Sequence, residues 1–167
     1  PDGLCTLEEW TRLQQHQVEW QSTEEIDESF NSIRAELDFS AGGIRHLHIY
    51  GQPGVGKTRR ALELCRQAAW GDNVIYIRQA QDIRLTDLLA SAGTDPGVRL
   101  MVVADEAQLD QLLPLCDAVD RGEGRIRLIT VGHCPTPEPG RIAALEIKPA
   151  TMEQLRVIVQ GWHPAMP

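Results

Sequence analysis

Apolar positions along this chain recur with two periods, and the switches between them predict its elements. Near the N-terminus the spacing is helical. Thr6 and Glu9 stand at capping-box distance, and Leu7, Trp10 and Leu13 follow on one helical face. Ser22 with Glu25 repeats the signal before Ile26, Phe30, Ile33 and Leu37, and Gly42-Gly43 supplies the stop. From Arg45 onward short apolar runs alternate with helical ones. His46–Tyr50, Asn73–Ile77, Val98–Ala104, Arg125–Val131 and Ile142–Ile147 read as strands, with helical patterns over 57–70, 84–92 and 107–121 between them. Such alternation demands crossovers, and so a mainly parallel sheet covered on both faces by helices. Leu100–Ala104 is apolar at every position, as a central strand buried on both sides must be. Pro114 predicts a kink or a late start in the third of these helices. The stretch 133–140 is loop, and a last helix is expected over 151–160.

Composition narrows the class. At 167 residues, with 42% apolar and 24% charged positions, the chain suits one soluble domain with a substantial core. It divides into an N-terminal helical segment (1–43), an α/β core (44–150) and a C-terminal helix and tail (151–167). A net charge of −8 opposes a broad duplex-DNA footprint, which needs a clustered basic face. The longest purely apolar run is five residues, too short to span a membrane, and no cleavable leader opens the chain. Cys5, Cys65, Cys116 and Cys134 show no metal-ligand spacing, so reduced thiols in a cytoplasmic protein are expected. The first residue is Pro1 rather than Met, as in a piece of something longer.

The chemistry is concentrated in two places. Gly51-Gln52-Pro53-Gly54-Val55-Gly56-Lys57-Thr58 matches the phosphate-binding pattern G-x-x-x-x-G-K-S/T at every fixed position, between a predicted strand and a predicted helix. The glycines let successive backbone N–H groups turn inward as an anion nest, and the helix adds its positive end. Lys57 is one of two lysines among 16 basic residues, and it stands where a compact ammonium is wanted for the β- and γ-phosphates. Arg59 extends the same helix start. Thr58 offers a hydroxyl to Mg²⁺. Forty-eight residues after Lys57, the buried strand runs into Asp105-Glu106. A carboxylate at that strand's C-terminal end lies beside the phosphate loop, so Asp105 is the expected metal ligand and Glu106 the group that polarises an attacking water. His46 and His48 alternate on one strand face, which predicts a hydrogen-bonded pair rather than a metal site.

Gly51-Gln52-Pro53-Gly54-Val55-Gly56-Lys57-Thr58, paired with Asp105-Glu106, resembles the AAA+ and STAND branch of P-loop ATPases. The resemblance implies a three-layer P-loop fold in which the strand ending at Val131 lies between the phosphate-loop strand and the Asp105 strand. It implies a polar sensor at that strand's tip, Thr130 with His133 behind it, and an adenine-lining segment around Val18 and Trp20. Arg141 matches in place the arginine that such subunits offer to a neighbour's γ-phosphate. The connection before Arg141 is short, which favours the STAND-like arrangement. The helical lid that follows in those families is not encoded here. The expectation is an ATPase core, binding ATP with Mg²⁺, weak on its own. It would belong to a signalling or bacterial defence switch that couples nucleotide state to self-association and to other domains of its chain. The alternatives are a DNA-associated AAA+ loader, remodeller or motor, and a nucleotide-binding scaffold that does not hydrolyse.

Overall fold

A computed structural model describes residues 4–14, 24–37, 43–67, 70, 73–80 and 84–152. The chain runs β1 (Leu4–Thr6), α1 (Leu7–Gln14), α2 (Glu24–Leu37), β2 (His46–Tyr50), α3 (Lys57–Gln67), β3 (Val74–Ile77), α4 (Leu85–Thr94), β4 (Leu100–Ala104), α5 (Leu109–Arg121), β5 (Ile126–Val131) and β6 (Ala143–Glu146). The strands form one sheet in the order β1-β3-β4-β5-β2-β6. All neighbours are parallel except β1, which pairs antiparallel with β3. β5 therefore separates the phosphate-loop strand β2 from the Asp105 strand β4, as the family resemblance implied.

Alternation along the central strands divides the core into two layers. Met101 and Val103 of β4, with Ile129 and Val131 of β5, join Leu47, Ile49, Leu62 and Trp10 on the face covered by α1 and α3. Val102, Ala104 and Leu128 point the other way, onto Leu85 and Leu89 of α4 and Leu112, Leu115 and Val119 of α5. Every residue of β5 is buried, as its central place requires.

The sheet has six strands rather than five. The sixth is β1, whose three residues are too few to show a period of two. Thr6 ends that strand and also caps α1: its Oγ1 accepts the Glu9 N–H, and its own N–H donates to the Glu9 carboxylate. Trp10 is fully buried, whereas Leu13 is exposed and lies off the buried face. α5 begins at Leu109 with Pro114 inside it, so the proline delays nothing. The N–H that proline lacks would have met the carbonyl of Asp110, in the first turn. α2 is described over Glu24–Leu37; Ser22 and residues 38–42, where its expected cap and stop fall, lie outside the described set. The same holds for all but the first two residues of the expected C-terminal helix. Among the described residues, no helix is long and apolar enough to cross a membrane.

Candidate functional site

Connecting segments meet at the C-terminal edge of the sheet, and backbone hydrogen bonds tie them to the strand ends. Asp105 N–H donates to Ile77 O, Ala107 N–H to Val131 O, Gly132 N–H to Ile49 O and Ile147 N–H to Tyr50 O, at 2.7–3.0 Å. The segments after β2, β4 and β5 are thereby held as one surface.

The first of them is the glycine loop. Gly51, Gly54 and Gly56 have φ of +149°, +81° and +88°, left-handed values that side chains oppose. Gly51 is further constrained, because a Cβ there would stand 2.3 Å from the Ile147 carbonyl oxygen. Pro53 is exposed, and Val55 packs partly against the core. Lys57 and Thr58 open α3. The Lys57 side chain curls back under the loop, donating to Gly51 O at 3.0 Å and Gln52 O at 2.9 Å. It is only 7% exposed, and among the described residues no carboxylate forms an ion pair with it. A buried ammonium surrounded by neutral groups is costly unless an anion joins it. Arg59 turns instead along α3, with its guanidinium 2.8 Å from Glu63.

Across from the ammonium, Asp105 is fixed through both oxygens. Thr58 Oγ1–H donates to its Oδ2 at 2.8 Å, Tyr76 O–H to the same oxygen at 2.9 Å, and Glu106 N–H to Oδ1 at 3.0 Å. Burial raises the carboxyl above its ordinary value, and these three hydrogen bonds oppose the rise. A hydroxyl and a carboxylate in contact are a fitting donor set for a hard divalent cation. Glu106 itself adopts φ +56°, a left-handed conformation that costs a non-glycine residue about 1–3 kcal/mol and is tolerated mainly at functional sites. Its carboxylate lies 3.3 Å from His133 Nε2, and His133 Nδ1 is 3.5 Å from Lys57 Nζ. His133 thus stands between the ammonium and the second carboxylate. Beside them lies a cavity of about 330 Å³ bordered by His48, Glu106, Gln108, Asp110, His133 and Cys134.

Thr130 lies in the core rather than at the glycine loop. It is fully buried, and its hydroxyl is 2.8 Å from both His46 Nε2 and His48 Nδ1. The physical reason is the alternation of β5: Thr130 faces the α5 side, and the chain turns past Gly132 before His133 reaches the phosphate loop. The directions in this buried chain follow from its last member. His48 Nε2–H must donate to the Cys134 carbonyl at 2.9 Å, so Nδ1 accepts from Thr130, and Thr130 in turn accepts from His46. The histidine pair is the hydrogen-bonded strand face that its spacing predicted.

Arg141 precedes β6 and is exposed. Its guanidinium binds Asp117 and, at 3.0 Å, Asp120 on α5. These two bonds raise its affinity for its proton further. Val18 and Trp20 lie outside the described residues. His133, expected behind Thr130, is the nearer of the two to the glycine loop. Tyr76 went unread in the sequence, as one position of an expected strand. The signal for Tyr76 lies in pairing, since register sets it opposite Val103, two residues before Asp105.

No family model matches the chain, and no curated protein matches it either. Solved structures do. Cdc6p from Pyrobaculum aerophilum superposes with a TM-score of 0.61 at 17% identity, over 86% of this chain and 50% of that one. C. elegans PCH-2 gives 0.58 at 13% identity, over 88% and 48%. A chain of the HORMA:CdnC:Trip13 complex from E. coli MS115-1 gives 0.56 at 11%, over 95% and 71%. The chain therefore spans about half the length of PCH-2 and of Cdc6p. At these identities the likeness establishes architecture alone: the chain has a three-layer P-loop α/β fold, shared with these structures.

Proposed function

We propose that this chain is the ATP-binding and ATP-hydrolysing core of a STAND-like signalling or defence switch, in which nucleotide state controls self-association. The observation that carries the nucleotide reading is the buried Lys57 ammonium, held inside a left-handed glycine loop with no carboxylate ion-paired to it among the described residues. A triphosphate supplies the missing anion. The loop amides and the start of α3 receive the phosphates, and Lys57 exchanges its bonds to Gly51 and Gln52 for phosphate oxygens. Thr58 and Asp105 are the residues that would hold Mg²⁺, which when bound neutralises charge on the β- and γ-phosphates. Glu106 orients and polarises a water, and His133, in reach of both Glu106 and Lys57, reads the terminal phosphate. Positioning and charge stabilisation supply most of the rate.

The switch role is supported by three features. The acidic balance opposes nucleic acid as the main partner. Residues 132–142 join β5 to β6 without a helix. Arg141 precedes β6, and β6 pairs parallel with β2, so Arg141 lies at the opposite end of the sheet from its own phosphate loop. That placement suits an arginine offered to a neighbouring subunit.

Calorimetry of Mg²⁺·ATP on the full-length protein tests the reading. Lys57→Ala should weaken binding by about 30-fold or more. Glu106→Gln should keep binding while turnover falls about 100-fold. Unaltered uptake in Lys57→Ala overturns the nucleotide reading, equal phosphate release from Glu106→Gln leaves only a scaffold, and strong stimulation by DNA replaces the switch with a DNA-associated ATPase.

A further inference from the structure

We propose that Tyr76 is a positioning residue for the Asp105 carboxylate, and that through Trp10 it links the N-terminal β1–α1 unit to the cation site. This inference rests on the nucleotide reading above. The Asp105 Oδ2 atom accepts two hydrogen bonds, one from Thr58 on α3 and one from Tyr76 on β3. Tyr76 is 5% exposed, and its ring lies flat on Trp10, with centroids 4.2 Å apart and planes inclined by 5°. Trp10 is fully buried and belongs to α1. Its unit is anchored beside the same residue, because β1 pairs with β3 in a register that sets Cys5 opposite Tyr76. The phenol is therefore clamped at two points, by its stacked ring and by its hydrogen-bonded hydroxyl.

Such a clamp does more than satisfy a buried hydroxyl. A carboxylate that is to bind a cation must be held in one rotamer, and a donor on a rigid ring does that better than water. A cation held by Asp105 would draw on the same carboxylate that Tyr76 touches. Any adjustment of that bond passes to a ring stacked on α1. Linkage makes the effect mutual: if a bound cation shifts the seating of Trp10, a shift in that seating changes cation affinity in return.

Tyr76→Phe tests this directly, because it keeps the stack and removes only the O–H. On the full chain, ATP binding is measured by calorimetry first in EDTA and then with Mg²⁺ titrated in. Affinity in EDTA should stay within about twofold, while the Mg²⁺ midpoint rises about tenfold, the usual effect of losing a partner of a metal ligand. A second readout is the ¹⁹F spectrum of protein labelled with 5-fluorotryptophan. The Trp10 resonance, assigned by its loss in Trp10→Phe, should move when Mg²⁺ joins the ATP complex of the parent and stay still in Tyr76→Phe. Should Tyr76→Phe melt early, the same titration on Trp10→Phe decides, with a severalfold higher midpoint expected. An unchanged midpoint overturns the proposal and leaves nucleotide binding standing. A parent that binds no ATP overturns both.

Discussion

Gly51 shows how much one position carries. Its φ of +149° and the 2.3 Å approach of the Ile147 oxygen exclude a side chain, so Gly51→Ala should lower stability by at least about 2 kcal/mol and weaken ATP binding. Urea denaturation and calorimetry check the two effects. Gly54 has the same sign of φ but open space around it, so alanine there should act on binding more than on folding. The buried histidines predict a pH dependence. Burial, and then the neighbouring His48, push His46 down to about 3, and burial also lowers His48. Both are neutral in the folded chain, while the unfolded chain takes up protons below about 6.5. For His46, stability is therefore complete above that value and is lost as pH falls towards 3, by up to about 1.4 kcal/mol per pH unit, and the lowered His48 acts in the same sense. Asp105, raised by burial, acts in the opposite sense. Urea midpoints between pH 7 and 4 should fall, and His46→Gln should flatten the slope. That His46 and His48 share one hydrogen-bonded strand face was legible from their spacing. Their bond to Thr130 was not, because it depends on β5 lying beside β2.

At the scale of elements, local chemistry was decisive wherever an element was long or capped. β2 has the bounds its pattern predicts, and the Thr6–Glu9 box forms as spaced. Thr6→Ala should cost about 1 kcal/mol, read as a lower urea midpoint, and should loosen the seating of Trp10 on Tyr76. A midpoint equal to the parent's would mean that pairing with β3, rather than the cap, holds this unit. β1 escaped the sequence reading because three residues carry no period; it is a strand only because β3 offers an open edge. Pro114 was read from its interior penalty alone. It stands inside α5, where it removes the bond to the Asp110 carbonyl without stopping the helix.

For the whole molecule, the sheet separates two kinds of chemistry. The phosphate loop, Asp105, Glu106 and His133 gather at the C-terminal edge, as ligands do in open parallel sheets. Arg141 is held at the other end by Asp117 and Asp120. An arginine so placed serves a neighbour or serves only its own surface. Arg141→Ala should leave the melting temperature nearly unchanged, yet lower the ATP turnover of the assembled protein by about 10³-fold. Turnover measured across a dilution series, alongside mass by light scattering, separates the cases. A loss below threefold in the assembled state assigns Arg141 to the surface alone.

Local order along the chain was enough to determine the glycine loop, the strand that runs into Asp105-Glu106 and the alternation that makes a parallel sheet. Each of these is encoded by neighbours within one turn or one strand. Only tertiary structure decided which polar group faces the Lys57 ammonium. Thr130 and His133 are three residues apart, but the pleat of β5 sends one into the core between two imidazoles and the turn after it brings the other to Lys57. The same holds for Tyr76, whose hydroxyl meets Asp105 across 29 positions of sequence. Contacts of that kind arise from strand order and register, and those are set by how the whole apolar surface is buried.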